Sequence, residues 1–282
     1  MRIVITGSSS GIGRALAERL LAGGHQVWGL ARSDQTGMAA RHRDMFFASR
    51  CDVADWLQID QAARSILPAW PAIDALVTCA GLQGAIGRAT AVDPRDWSAT
   101  VRANLDGTYF AIRAFHEALR RAPRRAKIVC FSGGGASKAR PNFSAYAAAK
   151  TAVVRLVETI AAEERDTVID INAVAPGAIN TRMTEAIVAA GPAAAGEAEY
   201  QAAVKQVTAG GASLDRALAL VEWLLSPASD GITGRLISAV WDPWPDLSRH
   251  REDLAGSDIY ALRRILPQER GKQWAPERGG AS

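Results

Sequence analysis

The chain passes from an apolar strand into a helix through Thr6-Gly7-Ser8-Ser9-Ser10-Gly11-Ile12-Gly13. Glycines let this backbone turn tightly and come close to a bound group. The start of the following helix presents free N–H groups and a positive dipole end, which suits a pyrophosphate. A plain strand-to-helix loop has a similar composition, and the spacing differs from Gly-x-Gly-x-x-Gly. Because the turn directly follows the apolar strand 2–6, the pattern favours a nucleotide site. Its expected members are Gly7, Ser9, Ser10, Gly11, Ile12 and Gly13.

Short apolar runs alternate with longer helical stretches along the rest of the chain. Strands are predicted over 2–6, 26–31, 45–51, 73–78, 127–132, 168–174 and 234–240. Helices are predicted near 11–22, 56–67, 94–122, 143–165, 183–190, 197–207 and 213–225. This alternation is typical of βαβ units, in which helices cover both faces of a parallel sheet. The sequence therefore predicts an α/β fold, a Rossmann-like doubly wound parallel sheet of about seven strands.

Residues 1–240 are interpreted as a single Rossmann-type domain. The segment 181–212 is rich in Ala and Gly and follows a strand at the carboxyl end of the sheet, where a substrate lid is expected. The tail 241–282 is predicted to hold one helix near 257–266 and to be disordered over its last dozen residues.

Bulk composition excludes several classes of function. The chain has 282 residues, 48% of them hydrophobic, but no apolar run long enough to span a membrane. A strand that begins at residue 2 leaves no room for a targeting peptide, so a cytoplasmic location is expected. The net charge of +4 is mild, and its densest cluster, 120–127, lies near the end of one predicted helix, where cations complement the dipole. A nucleic-acid partner is therefore not indicated.

The histidines and cysteines give no sign of a metal site or of disulfides. The four histidines are scattered without ligand spacing. The cysteines are three, an odd number, and they fall in or at the ends of predicted strands, at Cys51, Cys79 and Cys130. They are expected to be free thiols of a reducing compartment.

Tyr146 and Lys150 lie four residues apart in the predicted helix that begins near 143. Residues at this spacing share one helix face. A nearby ammonium favours the phenolate and so lowers the pKa of a tyrosine from its ordinary value of about 10. A tyrosine tuned in this way can exchange a proton with a substrate oxygen. Taken alone, the pair also fits an ordinary solvated helix face.

The end of the second strand should meet the adenosine ribose of a dinucleotide. An acidic residue there would bind the 2′-hydroxyl, but the chain reads Leu30-Ala31-Arg32-Ser33. The Arg32 guanidinium matches a 2′-phosphate in charge and geometry. NADP(H) is therefore the preferred cofactor. Because Arg32 could instead be merely solvated, NAD(H) is also possible.

These motifs, in this order, resemble the short-chain dehydrogenase/reductase superfamily in its single-domain form, from residue 1 to about 240. Four further segments carry the resemblance: Cys51-Asp52-Val53, Cys79-Ala80-Gly81, Asn104-Leu105-Asp106-Gly107, and Pro176-Gly177-Ala178-Ile179-Asn180-Thr181. The resemblance implies that Asp52, Val53, Ala80, Gly81, Pro176, Gly177, Ile179 and Thr181 help to bind the cofactor. It also implies that Tyr146 is the general acid/base, that Lys150 lowers its pKa and binds the nicotinamide ribose, and that Asn104 holds a proton relay.

The pattern breaks at the serine that the family uses to orient the substrate. It usually lies thirteen residues before the tyrosine, where this chain has Gly133 in the run Phe131-Ser132-Gly133-Gly134-Gly135. Ser132 is the favoured substitute. Ser144 or Ser137 could stand in for it, or no serine could serve.

The leading interpretation is an NADP(H)-dependent oxidoreductase that interconverts a secondary alcohol and a ketone. A nucleotide-sugar epimerase or dehydratase is an alternative, although only about forty residues follow the last strand and that class carries a larger C-terminal domain. A non-catalytic NADP-binding sensor or scaffold, suggested by Gly133, is another. The expected partner is a small-molecule substrate. The resemblance also implies further copies of the chain, as a homodimer or homotetramer through the helices 94–122 and 143–165.

Overall fold

Seven parallel strands form one sheet in the computed structural model, which describes residues 1–274. The strands are β1 Arg2–Thr6, β2 Gln26–Ala31, β3 Phe46–Arg50, β4 Ala75–Thr78, β5 Ala126–Phe131, β6 Ile169–Ala175 and β7 Leu236–Ser238. Their order across the sheet is β3-β2-β1-β4-β5-β6-β7, and every neighbouring pair is parallel. The direction of winding reverses between β1 and β4, so a ligand cleft is expected at their carboxyl ends. The predicted doubly wound sheet is confirmed.

Ten α-helices are present among the described residues. They are α1 Gly11–Ala22, α2 Thr36–Arg41, α3 Trp56–Ile66, α4 Pro94–Val101, α5 Gly107–Arg120, α6 Ser144–Glu163, α7 Arg182–Ala195, α8 Glu197–Ala209, α9 Leu214–Leu225 and α10 Arg251–Ala255. A π-helical turn, Arg102–Asp106, joins α4 to α5. Non-helical backbone at Gly191, with φ of 73°, interrupts α7. The π-helical turn divides the single helix predicted over 94–122 into α4 and α5. Such turns are common at functional sites.

Both faces of the sheet are buried, which explains the continuous apolar runs of the strands. Successive side chains of a strand point to opposite faces. In β1, Val4 packs into a core shared with α3, α5 and α6, whereas Ile3 and Ile5 pack into a core shared with α1 and α9. Every second residue of β1 therefore meets helices on one side, and the residues between them meet helices on the other.

The prediction of a helix near 257–266 is wrong. Residues 257–266 form turns and irregular backbone, and the short helical segments of the tail lie instead at Trp244–His250, Arg251–Ala255 and Pro267–Arg270. The Leu236 N–H donates to the Tyr260 carbonyl at 2.9 Å, and the Leu262 N–H donates to the Glu158 carboxylate at 2.6 Å. These bonds tie the segment to β7 and α6 in a conformation that is not helical. The predicted disorder of the last dozen residues concerns mainly 275–282, which lie outside the described residues.

Within residues 1–274, no helix is both long enough and apolar enough to cross a membrane. The same part of the chain holds no group of three side chains arranged to bind a metal ion. Cys51, Cys79 and Cys130 are free thiols, and the first and last of them are buried.

Candidate active site

A cleft of about 430 Å³ opens at the carboxyl ends of β1, β2 and β4. The residues predicted from the sequence that line it are Gly7, Ser9, Ser10, Gly11, Ile12, Gly13, Arg32, Asp52, Val53, Ala80, Gly81 and Thr181. They come from separate loops that the parallel sheet brings to one edge. Pro176, Gly177 and Ile179 lie in the connection from β6 to α7, which leads into Thr181.

The glycine-rich turn forms a close-fitting cradle at the start of α1. A Cβ on Gly13 would lie 2.4 Å from the Gly7 carbonyl oxygen, and Gly7 itself has a φ of +74°. Side chains at these two positions would therefore push the turn out of place. Ser10 occupies the N-cap of α1 without a side-chain capping bond to the described backbone. The first N–H groups of the helix are thus left to bind an anion, and the turn fits a dinucleotide pyrophosphate.

The loop from β6 to α7 forms the opposite wall of the cleft. A Cβ on Gly11 would lie 3.9 Å from Thr181 Cγ2, so the two loops face each other closely. Thr181 also caps α7, because its Oγ1 accepts a hydrogen bond from the Met183 N–H at 3.3 Å. Gly177, with φ of +91°, packs so tightly that a Cβ there would be 2.6 Å from Val240 Cγ2. This wall therefore depends on the backbone freedom of glycine.

At the adenosine end, the Arg32 side chain is 68% exposed, and its Nη1 lies 3.9 Å from the Asp52 carboxylate. A buried pair of side chains supports this end of the cleft. The Ser8 hydroxyl donates to Gln35 Oε1 at 2.6 Å, and Gln35 Nε2 donates to the Gly29 carbonyl at 3.2 Å. The glycine-rich turn is thereby tied to β2 and to the loop that follows it.

Tyr146 and Lys150 share one buried face of α6, as their spacing predicts. Burial raises the pKa of Tyr146 above its ordinary value, and the positive charge of Arg140 opposes that rise. Lys150 Nζ donates to the Phe131 carbonyl at 2.9 Å and lies 5.8 Å from the centre of the Tyr146 ring. Burial lowers the pKa of Lys150 to about 8. In this structure Tyr146 is thus a protonated phenol at neutral pH, and Arg140 is the cation that favours its ionisation.

Asn104 lies in the π-helical turn and is fully buried. Its Nδ2 donates to the carbonyls of Thr100 and Leu82, both at 2.9 Å. Its Oδ1 has no hydrogen-bond partner among the described residues. A Cβ on Gly81 would lie 2.6 Å from this Oδ1 and 3.5 Å from Lys150 Nζ. The amide oxygen and the ammonium therefore converge on the same point of the cleft wall, where a bridging water would satisfy both.

The candidate serines are placed differently from one another. Ser132 is buried, and its hydroxyl donates to the Lys150 carbonyl at 3.1 Å. The Ser144 hydroxyl accepts a bond from Trp97 Nε1 at 3.1 Å, and Ser137 is exposed. A Cβ on Gly133 would lie 2.7 Å from the Tyr146 hydroxyl oxygen. The position that the resemblance assigns to a serine is therefore closed by the tyrosine itself.

Several residues of the cleft were missed by sequence reasoning. The missed lining residues are Leu82, Gln83, Gly84 and Ala103. Gln83 is only 5% exposed, and its Nε2 has no hydrogen-bond partner within residues 1–274. The available signal for Gln83 was its nearness in sequence to Ala80 and Gly81. Arg182 and Ala186 also line the cleft and lie in the predicted segment 181–212.

A model of the family described as short chain dehydrogenase matches residues 1–191. The chain belongs to the short-chain dehydrogenase/reductase family. It is 27% identical over 267 residues to a short chain dehydrogenase of Monascus ruber, and the match covers 91% of this chain and 84% of that relative. It is 34% identical over 194 residues to 2-(R)-hydroxypropyl-CoM dehydrogenase of Xanthobacter autotrophicus, covering 64% and 76% of the two chains.

The fold is shared with solved structures of the family. Aldohexose dehydrogenase of Thermoplasma acidophilum superposes with a TM-score of 0.72 at 26% identity, covering 84% of this chain and 91% of that one. As a member of this family, the protein is an NAD(P)-dependent oxidoreductase that acts on small molecules.

Proposed function

We propose that this protein uses NADP(H) to interconvert a secondary alcohol and a ketone, with Tyr146 as the general acid/base. The observation that carries the proposal is the common buried face of α6 that holds Tyr146 and Lys150, with Asn104 beside the same cleft wall. A phenol, an ammonium and an amide oxygen in this arrangement can deliver a proton to a carbonyl oxygen and replace it from solvent.

The chain's own residues bind and orient the reactants. The glycine-rich turn and Thr181 would hold the pyrophosphate between them, and Asp52 and Val53 would meet the adenine. When bound, the cofactor supplies or accepts the hydride. Because burial raises the pKa of Tyr146, the phenol retains its proton at neutral pH and can donate it to the substrate oxygen. Lys150 and the amide oxygen of Asn104 would return a proton through a water between them.

The preference for NADP(H) rests on Arg32. Its guanidinium is exposed at the end of β2, and its distance of 3.9 Å from Asp52 is that of a loose ion pair. A 2′-phosphate would bind this cation by charge-assisted hydrogen bonds without displacing a buried partner. Arg32 is followed by Ser33, whose hydroxyl can also donate to a phosphate oxygen.

The relatives named above are dehydrogenases, which supports the redox chemistry.

We also propose a homodimer or homotetramer formed through α5 and α6. The outer surface beside α5 carries Trp56 and Tyr109, 37% and 47% exposed, in contact with Phe110. Light scattering of the full chain and of Tyr109→Arg tests the assembly, and a monomeric parent protein would refute it.

The function is tested by titrating the purified protein with NADPH and NADH and by assaying ketone reduction. Tyr146→Phe should leave the affinity for NADPH unchanged while turnover falls by about 10² or more. Tyr260→Phe, which removes a hydroxyl from the segment after α10 and does not line the cleft, is the matched control. Undiminished turnover in Tyr146→Phe would refute the assigned mechanism. Tight NADPH binding without turnover on any alcohol or ketone would support a non-catalytic role.

A further inference from the structure

An ion pair fastens the lid to the loop that precedes the catalytic helix. The lid is α7 and α8, and the loop is the segment 132–143 between β5 and α6. Nε and Nη2 of Arg140 donate to Glu199 Oε2 at 3.2 and 2.9 Å. The Arg140 side chain is only 14% exposed, so solvent screens this contact less than it screens an ordinary surface pair.

The same guanidinium faces Tyr146. Its Cζ lies 4.0 Å from the centre of the Phe143 ring and 5.8 Å from the centre of the Tyr146 ring. Two positive groups lie near the phenol, namely Arg140 from the loop and Lys150 from α6. Glu199 is the carboxylate that α8 brings to this group of charges.

Apolar packing holds the lid against the same loop. Phe143, at the end of the loop, is fully buried in a cluster with Ile187 and Ala195 of α7 and Ala203 of α8. Gly196 joins the two lid helices, and a Cβ there would lie 2.8 Å from Asn142 Nδ2. Movement of the lid away from the sheet would therefore separate Glu199 from Arg140.

We propose that Arg140 and Glu199 form a latch that couples closure of the lid to the protonation state of Tyr146. This inference rests on the proposed function, in which Tyr146 exchanges a proton with the substrate. With the lid closed, the Glu199 carboxylate offsets the charge of Arg140, so the neutral phenol is favoured and can donate its proton to a carbonyl. With the lid open, the unopposed guanidinium favours the phenolate. Arg140 is then a positioning residue that acts through Tyr146.

The latch is tested with two variants that break the same contact but change the charge beside Tyr146 in opposite directions. Glu199→Gln leaves the guanidinium unopposed and should lower the midpoint of the Tyr146 phenolate titration. Arg140→Gln removes the cation and should raise it. The titration is followed by ultraviolet difference absorbance of the full chain without substrate, with Tyr146→Phe subtracted as the blank. In both variants, limited proteolysis within α7 and α8 should accelerate by about fivefold, the effect of losing one such ion pair.

Glu197→Gln is the matched control. It removes a carboxylate from the same helix, and Glu197 is exposed and paired with Gln201 at 2.9 Å. It should change neither the titration nor the proteolysis. Arg140→Lys keeps the charge and should restore the parental midpoint more closely than Arg140→Gln does. Should Arg140→Gln fail to fold, Glu199→Gln must still lower the midpoint.

The latch proposal would be overturned if Glu199→Gln and Arg140→Gln shifted the midpoint of the Tyr146 titration equally or in the same direction. It would also be overturned if neither variant shifted the midpoint. The titration does not depend on activity, so the two proposals fail separately. Opposite shifts without turnover on any alcohol or ketone would leave the latch standing and reject the proposed function. If Tyr146→Phe were inactive and the titration were unchanged in both latch variants, the proposed function would stand and the latch would be rejected.

Discussion

The Tyr146 hydroxyl lies against the backbone of Gly133, so that a Cβ on Gly133 would stand 2.7 Å from the phenol oxygen. Real Cβ atoms do not come so close to an oxygen, and the contact would be relieved only by moving the ring or the loop. The glycine that breaks the family pattern and the placement of the tyrosine therefore depend on each other.

Restoring the family's residue should harm this enzyme. Gly133→Ser should displace the Tyr146 hydroxyl and lower turnover by about 10²-fold, the cost of misplacing a catalytic group by about 1 Å. Affinity for NADPH should stay the same. Gly134→Ser is the matched control, because a Cβ there meets nothing within 4 Å. Steady-state kinetics and cofactor titration of both variants decide the matter, and a gain of turnover in Gly133→Ser would contradict the prediction.

Ser132 should prove more important for stability than for turnover. Its buried hydroxyl donates to the Lys150 carbonyl at 3.1 Å. Ser132→Ala should lower the free energy of unfolding by about 1 kcal/mol, the net contribution of one hydrogen bond, and should change turnover little. Denaturant unfolding and kinetics are compared with those of Ser144→Ala. A large loss of turnover at unchanged stability would instead show that Ser132 orients the substrate.

Arg32→Ala should discriminate between the two cofactors. Removing a charged donor to a phosphate costs about 1.5–3 kcal/mol, so NADPH binding should weaken by about 10- to 100-fold. NADH, which lacks the 2′-phosphate, should be nearly unaffected. Arg64→Ala is the control, because Arg64 is exposed and pairs only with Asp60 on α3 among the described residues. An equal loss for both cofactors would remove the argument for the 2′-phosphate.

Activity and stability should respond to alkaline pH in opposite directions through Lys150. Burial lowers its pKa to about 8 from an ordinary value of 10.5. The folded protein thus loses this proton earlier than the unfolded chain, and the contribution of this group to stability rises between about pH 8 and 10.5. Over the same range Lys150 loses the ammonium that returns a proton in the proposed mechanism.

The measurement is a profile of kcat/KM against pH beside thermal unfolding in the same buffers. Turnover should fall above about pH 8 without a matching loss of folded protein. Lys150→Arg, if it folds, should move this fall to higher pH because the guanidinium stays charged. Lys138→Met, which changes an exposed lysine of the neighbouring loop, should leave the profile unchanged. Parallel losses of activity and structure would contradict the assignment.

Much of the fold and of the lining of the cleft could be predicted because the signals are local. The glycine-rich turn combines an apolar strand, glycines and a helix start within a dozen residues, and the spacing of Tyr146 and Lys150 needs only the helix period. The helix predicted near 257–266 failed because its composition is helical, whereas its backbone bonds are made to Leu236 and Glu158 far away in the chain.

Sequence by itself determined the parallel α/β fold, the glycine-rich turn and the buried face of α6, because backbone conformation and side-chain period are properties of neighbouring residues. Only the tertiary structure decided which charges act on Tyr146. Arg140 precedes α6 and shares no helical period with the tyrosine, and Glu199 of α8, some sixty residues further along the chain, pairs with Arg140. Electrostatic interactions depend on distance and burial in space, and the packing of α7 and α8 against the loop that precedes α6 sets both.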